Sequence, residues 1–447
     1  MSSTGTMSIP LESIRAALEG AMPGTLATAS ADGMPNLAQV AHVQYVDSQH
    51  IALPCQFFNQ TRRNLQAHPQ ATLALTDPFT GALYRLGLEY VRSDADGALF
   101  GQMRARFAAL ASHTGLSGMF TLQCADVFRV LAISQAPGAT LPAPPARRNM
   151  LAALRRATER IRLDAGLDAL LEDTLAALES EFGIRHAMAL LFDEARGSLA
   201  CAAVRGYGAG GPPEIALGAG VIGVAAQERT PIRIGHMNSE YGYHRAIRAS
   251  TVECGFGVAL GDEIALPGLP EPRSQMALPM LGDERLIGVL YVESTLELRF
   301  TCDDEDALAV LAAQLGQDIE DMQASGQVTV EAAAPPVAAS GDALVVKHFA
   351  YNDSVFLGED YLIKGVAGSI FATLVADCIQ TGRTEFSNRE LRLDPRVRLP
   401  GLSDNLEARL LLLSRRLDER SAPVRIEKTG RGRFKLCASQ PLKLVAG

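Results

Sequence analysis

"DNLEARLLLLSRRLDERSAPVRIEKTGRGRFKL", Asp404 to Leu436, joins a leucine-striped segment to a basic one near the C-terminal end. Leu406, Leu410, Leu413 and Leu417 recur at helical spacing, so they share one face of an α-helix that a core must cover. Arg409 and Arg416 flank that stripe by one position, and Arg415 falls further round on the polar face; all three are expected on an exposed side. Asp404 is the expected cap. "VRIEKTGRGRFKL" alternates on either side of Lys428 to Arg431, which predicts a β-hairpin.

Working back from this stretch, "ALVVKHFAYNDSVFLGEDYLIKG" reads as strands around two turns, Tyr351-Asn352-Asp353 and Leu357-Gly358-Glu359. "VAGSIFATLVADCIQTG" reads as a helix with Ile370, Leu374, Val375 and Cys378 inward. Ser387, with Glu390 three residues on, opens a second short helix as a capping box. A proline-bounded connector, "RLDPRVRLPGLS", leads to the third. Strands, three helices and a hairpin in this order resemble the winged-helix effector domain of two-component response regulators. The resemblance implies that the third helix enters the DNA major groove and that the hairpin, as a wing, touches the minor groove or backbone. By position, Asn405, Arg409, Arg415 and Arg416 would face DNA from the helix, and Lys428, Arg431 and Arg433 from the wing. Arginine can read guanine edges bidentately, while wing charges mostly contact phosphate.

Charge supports this placement. The 447-residue chain has a formal net charge of −9, yet from Gly341 onward it carries 17 Lys and Arg against 13 Asp and Glu. A basic end on an acidic chain is expected if only that end meets a polyanion.

Hydrophobic residues make up 47% and charged residues 20%, a globular composition with apolar mass for several cores. Two Pro- and Ala-rich stretches, "QAPGATLPAPPAR" and "VTVEAAAPPVAASG", read as linkers. They predict domains at 8–134, 148–325 and 342–447, with linkers at 135–147 and 326–341. No apolar run is long enough to span a bilayer, and no secretion signal opens the chain. The seven cysteines are scattered without a C-x-x-C pair. That argues against a zinc ribbon or disulfide framework, suits a reducing cytoplasm, and leaves no metal site assigned.

In the first part, "SIPLESIRAALEG" is an amphipathic helix with Leu11, Ile14 and Leu18 on one face, and β-rich segments joined by turns follow. "GTLATASADGMPN" and "FFNQTRRNLQAHPQATLAL" resemble the pyridoxamine 5′-phosphate oxidase-like split barrel. In that family a hydroxyl and basic residues at the start of this helix hold the flavin phosphate; Thr61, Arg62, Arg63 and Asn64 occupy the matching positions here. The resemblance implies FMN or another flavin as cofactor. A helix start with guanidinium groups favours an anion. The strand "NLAQVAHVQYV" lacks the basic residues that oxidase members place there, so oxidase activity is not implied. Cys55 reads as a buried, inert cysteine.

In the second part, Met150, Leu154, Ala157 and Ile161 form a heptad seam suited to a partner helix and hence to a homodimer; the seam is short for a coiled coil, so a helix packed on its own domain is the alternative. Leu167, Leu171, Leu175, Leu178 and Phe182 form an apolar stripe. Then "GAGVIGVAAQERTPIRI", "ALPML" with "LIGVLYVES", and a closing helix opened by Thr301 and Asp304 resemble a GAF domain. Such domains are antiparallel sheets with helices on one face, many of which bind a small ligand beneath their loops. Residues 236–268 read as an irregular pocket segment carrying His236, Tyr241, Tyr243, His244 and Cys254 as candidate ligand-binding residues. His244 and Cys254 are the candidates for haem, which ranks behind flavin.

The fold class expected is therefore multidomain α+β: a split β-barrel, a GAF sheet with helices, and a winged helix-turn-helix. The function expected is a one-component transcriptional regulator sensing a cofactor, redox state or small molecule and binding double-stranded DNA as a homodimer. The alternatives are a flavin-dependent oxidoreductase with regulatory appendages, and an assembly adaptor whose winged helix never meets DNA. No nucleophile–base pair, kinase motif or cyclase motif is present, so no catalytic residue is assigned and a regulator is favoured over an enzyme.

Overall fold

A computed structural model of the chain describes residues 9–18, 22–40, 42–55, 59–117, 122–144, 148–162, 166–194, 196–207, 214–253, 260–261, 263–283, 285–325, 343–397, 406–430 and 433–446. Its first seven strands are β1 (Gly24–Ala29), β2 (Pro35–Val40), β3 (Gln44–Asp47), β4 (His50–Cys55), β5 (Gln70–Thr76), β6 (Leu83–Asp94) and β7 (Cys124–Gln135). They form one antiparallel sheet in the order β2-β1-β5-β6-β7-β4-β3. Alternation along these strands turns Leu26, Ile51, Leu53, Leu73, Leu75, Leu86, Leu88 and Phe128 into one core, which Leu11, Ile14 and Leu18 close from α1 (Arg15–Leu18) and the 3₁₀ turn before it. Gly33, at φ +85°, makes the β1–β2 hairpin, a conformation that glycine adopts without strain. Helices α2 (Asn59–Ala67) and α3 (Gly97–His113) connect the strands.

The middle of the chain contains α4 (Met150–Arg160), α5 (Leu167–Phe182), β8 (His186–Asp193), β9 (Ser198–Arg205), β10 (Ile215–Ala216), α6 (Gly220–Glu228), β11 (Ile232–Ile234), α7 (Met237–Glu253), β12 (Ser274–Gly282), β13 (Arg285–Ser294) and α8 (Cys302–Ser325). The sheet order is β10-β9-β8-β13-β12-β11. Gly316 of α8 lies so close to the Leu281 backbone that a Cβ there would collide with it, which sets how near the helix approaches the strand. The α5 stripe is buried as expected: Leu167, Leu171, Leu175, Leu178 and Phe182 are each at most 2% exposed.

For α4 the alternative of a helix packed on its own domain is the one seen, and one expectation changes. The seam helix α4 stops at Arg160, buries Ala153 and Ala157, and is tied to α5 by Arg156 and Arg160, which both pair with Glu181 at 2.6 and 2.9 Å. Residues 237–253, read from sequence as irregular, form a 17-residue helix.

The C-terminal part has β14 (Leu344–Phe349), β15 (Ser354–Leu357), β16 (Asp360–Ile363), α9 (Val366–Thr381), β17 (Glu385–Ser387), α10 (Asn388–Leu393), α11 (Leu406–Glu419), β18 (Val424–Gly430), β19 (Arg433–Ala438) and β20 (Leu442–Ala446). Two small sheets, β16-β15-β14-β20 and β17-β19-β18, enclose the helices. The α11 stripe Leu406, Leu410, Leu413 and Leu417 packs with Ile370, Phe371, Leu374 and Val375 of α9 and with Phe434 and Leu436 of the hairpin in one core. Ser387 and Glu390 form the expected reciprocal capping box.

Candidate functional site

At the start of α2 the four candidate cofactor residues divide by face. Asn36 Nδ2 donates to Thr61 Oγ1 at 3.0 Å, Asn64 Nδ2 donates to Thr28 Oγ1 at 3.1 Å, and Gln60 Nε2 donates to Asn64 Oδ1 at 2.9 Å. Thr61 and Asn64 are thus buried anchors that fix α2 on β1 and β2. Arg62 and Arg63, the fourth and fifth residues of α2, are exposed, and neither makes an ion pair among the described residues. That leaves two cations beside a helix start, an arrangement suited to a phosphate. The pKa of Arg62 is raised, chiefly by nearby Cys124 and then Cys55. Burial, and secondarily Asp126, pushes the Cys55 thiol up to about 12.

In the middle part, α7 packs against α3. Arg106 places one guanidinium nitrogen 2.8 Å from both carboxylate oxygens of Glu240, and Arg248 donates to the carbonyls of Thr114 and Gly261 at 3.0 and 2.7 Å. Ser112 Oγ donates to the Gly218 carbonyl at 2.7 Å and accepts from the Gly220 N–H at 3.0 Å. Tyr241 lies against the His113 ring, centroids 4.4 Å apart, and its hydroxyl accepts from Gln275 Nε2 at 2.6 Å. Burial raises the Tyr241 phenol pKa, while burial and then Arg245 lower that of His113 to about 4, so both groups are neutral. His244 is buried and donates Nδ1–H to the Glu240 carbonyl at 2.8 Å; His236 faces Glu297 at 3.0 Å. Tyr241 is therefore brought together with His113 on the α3–α7 contact, while the His244 hydrogen bond stays within α7. The Tyr243 side chain and Cys254 lie outside the described residues.

The basic face of the C-terminal part meets carboxylates. Arg409, expected on an exposed face, is 3% exposed and pairs with Asp193 at the end of β8. The reason is that α11 is covered twice: its leucines by their own core, and the adjoining Arg409 edge by the β8–β9 corner. Arg415 reaches Glu172 at 3.4 Å, Lys428 reaches Asp168 at 2.9 Å, and Arg416 pairs within α11 with Glu419 at 2.8 Å. Arg433 and Lys428 line a cavity of about 280 Å³ with Leu410, Ile426, Phe434 and Asp168. Asn405 and Arg431 lie outside the described residues. The three acidic partners were not legible as site residues. Asp168 and Glu172 are spaced four apart on the α5 polar face, the one pattern that marks them in advance.

The pyridoxamine 5′-phosphate oxidase family model matches residues 11–119, and the GAF domain model matches residues 164–320. The N-terminal domain is thus of the pyridoxamine 5′-phosphate oxidase-like type, and a GAF domain follows it. Among solved structures, the GAF domain of an Acinetobacter phosphoenolpyruvate-protein phosphotransferase is similar at 18% identity, covering 41% of this chain and 100% of its own, with a TM-score of 0.32. An FMN-binding protein from Syntrophomonas wolfei is similar at 20% identity, covering 29% and 86%, with a TM-score of 0.25. The free methionine-R-sulfoxide reductase from Neisseria meningitidis is similar at 23% identity, covering 38% and 84%, with a TM-score of 0.28. None of the curated proteins matches the chain. Among the described residues, no helix is long and apolar enough to cross a membrane.

Proposed function

We propose that this protein is a cytoplasmic one-component transcriptional regulator. Residues 8–134 and 148–325 sense a flavin, redox state or small molecule, and residues 342–447 act as a winged helix that binds DNA as a homodimer. The observation that carries this reading is the pairing of Arg409, Arg415 and Lys428 with Asp193, Glu172 and Asp168. Carboxylates stand against the helix and hairpin cations where DNA phosphates and base edges would otherwise lie. The GAF contact and DNA then compete for the same cations, so a signal that loosens the contact raises DNA affinity.

At the barrel, Arg62 and Arg63 would hold the flavin phosphate at the α2 start, with Thr61 and Asn64 fixing the helix from beneath. A bound flavin supplies a ring that accepts electrons from a reductant. The family match also supports a second reading, a flavin-dependent oxidoreductase with regulatory appendages, which requires turnover of a reductant.

Selection from a pool of genomic DNA fragments, repeated across a salt series, tests the regulator reading. Sequence-specific binding that weakens steeply with salt is expected. Its absence, together with steady reductant turnover by a yellow protein, would favour the enzyme.

A further inference from the structure

The barrel core ends in a polar cluster that neither sensing nor DNA binding uses. Along β4, Ile51, Leu53 and Cys55 share one face; along β7, Cys124, Asp126 and Phe128 do the same, because strand side chains alternate. Antiparallel pairing sets Cys55 directly across from Cys124, with Asp126 two residues further along. All three are buried, at 3%, 3% and 2% exposure. Their sulfurs and one carboxylate oxygen lie within 4.8 Å of one another, and the Cys124 thiol donates to Asp126 Oδ1 at 3.6 Å.

We propose that Cys55, Cys124 and Asp126 are three ligands of a divalent metal site of the zinc class, with the fourth position left to a solvent molecule or small ligand. Bonds of about 2.3 Å to sulfur and about 2.0–2.2 Å to oxygen on a tetrahedral ion put sulfur and oxygen about 3.5 Å apart, and two sulfurs about 3.8 Å apart. The Cys124–Asp126 separation already fits, and closing the set around an ion takes movements of about an ångström or less. The ligand chemistry is of the borderline-soft kind that suits zinc. An outer shell is also present: Ser93 Oγ donates to the same Asp126 oxygen at 2.5 Å, and Tyr90 Oη is hydrogen-bonded to Ser93 Oγ at 2.7 Å. Such partners orient a ligating carboxylate. A disulfide between the two cysteines would have no use for Asp126 or for the Ser93–Tyr90 chain behind it. Binding releases the two thiol protons to solvent as the two metal–sulfur bonds form, and no electron moves. The proposal is independent of the DNA reading.

The test uses the full chain. Chelator-stripped protein is titrated with Co²⁺, a spectroscopic stand-in for Zn²⁺, under reducing conditions. One equivalent should develop a near-ultraviolet thiolate-to-cobalt charge-transfer band and strong visible bands, and Zn²⁺ should bleach both. Cys55→Ser and Cys124→Ser should each abolish the charge-transfer band with the far-ultraviolet circular dichroism unchanged. Ser93→Ala should weaken binding by about tenfold or more. If a cysteine variant does not fold, alkylation of the wild type followed by peptide mass mapping decides: Zn²⁺ must protect Cys55 and Cys124. No charge-transfer band, a full band in the folded Cys124→Ser protein, or unprotected thiols would overturn the assignment.

Discussion

Arg409 on α11 and Asp193 at the end of β8 form a buried ion pair, with side chains 3% and 10% exposed. One residue belongs to the face expected to read DNA and the other to the GAF domain. Truncating one member of a buried pair commonly costs about 3–5 kcal/mol, because a charge is left without its counterion. That penalty belongs to the stranded charge, so Arg409 stays buried only while a carboxylate faces it.

Arg415, partly buried, and Arg416, exposed, give the simplest functional variant. Arg415 and Arg416 have side chains 29% and 46% exposed. Arg415→Ala with Arg416→Ala should leave the circular dichroism spectrum and melting temperature close to wild type while DNA binding is lost or sharply weakened. Any residual binding should show a log–log salt slope smaller by about 2, since each phosphate contact contributes about 0.9. An unchanged slope and affinity would sink the assignment of these residues.

His113 supplies a pH prediction. Burial lowers its pKa from 6.5 to about 4, so the folded state resists a proton that the unfolded chain takes up. Stability should be fully present above pH 6.5 and should fall as pH drops toward 4, by up to about 3 kcal/mol. Urea midpoints measured from pH 7 down to pH 4, for wild type and His113→Gln, check this. The variant should lose that part of the pH dependence.

Gly316 tests the packing of α8. Gly316→Ala forces a methyl group into the Leu281 backbone and should cost about 2 kcal/mol or more, read from the urea midpoint. A neutral effect would mean that α8 can move away from β12 freely.

Much of this architecture could be read from local pattern. The α11 stripe, the Ser387–Glu390 box and the β18–β19 hairpin depend on residues a few positions apart, and each has the expected form. What escaped depends on distant pairing. Helix α7 contains Gly242, two tyrosines and several β-branched residues, so its helical period is weak; α3 stabilises it through Arg106–Glu240 and the His113–Tyr241 contact. Strand β20 is five residues long and pairs in parallel with β14 at the other end of its domain, which no local signal announces. Cys55, read as inert, meets Cys124 and Asp126 only because β4 pairs with β7. Arg409 is buried where the helical period predicts exposure, because period specifies what a helix buries in its own core, not what a neighbouring domain covers.

Flavin binding can be checked at the α2 start. Arg62→Ala with Arg63→Ala should weaken binding of added FMN by at least about tenfold, followed by quenching of its fluorescence, without loss of fold, since each charge-assisted hydrogen bond contributes about 1.5 kcal/mol or more. Equal affinity in wild type and variant would place the phosphate elsewhere.

The most direct test of the central claim is the equilibrium affinity of wild type and Asp193→Asn for a fragment recovered from the genomic pool. Loss of the ion pair should tighten binding by about fivefold to 150-fold, the range expected for a coupling of 1–3 kcal/mol, with the salt slope retained. Equal affinity of the two proteins, or no sequence-specific binding by either, would contradict the account.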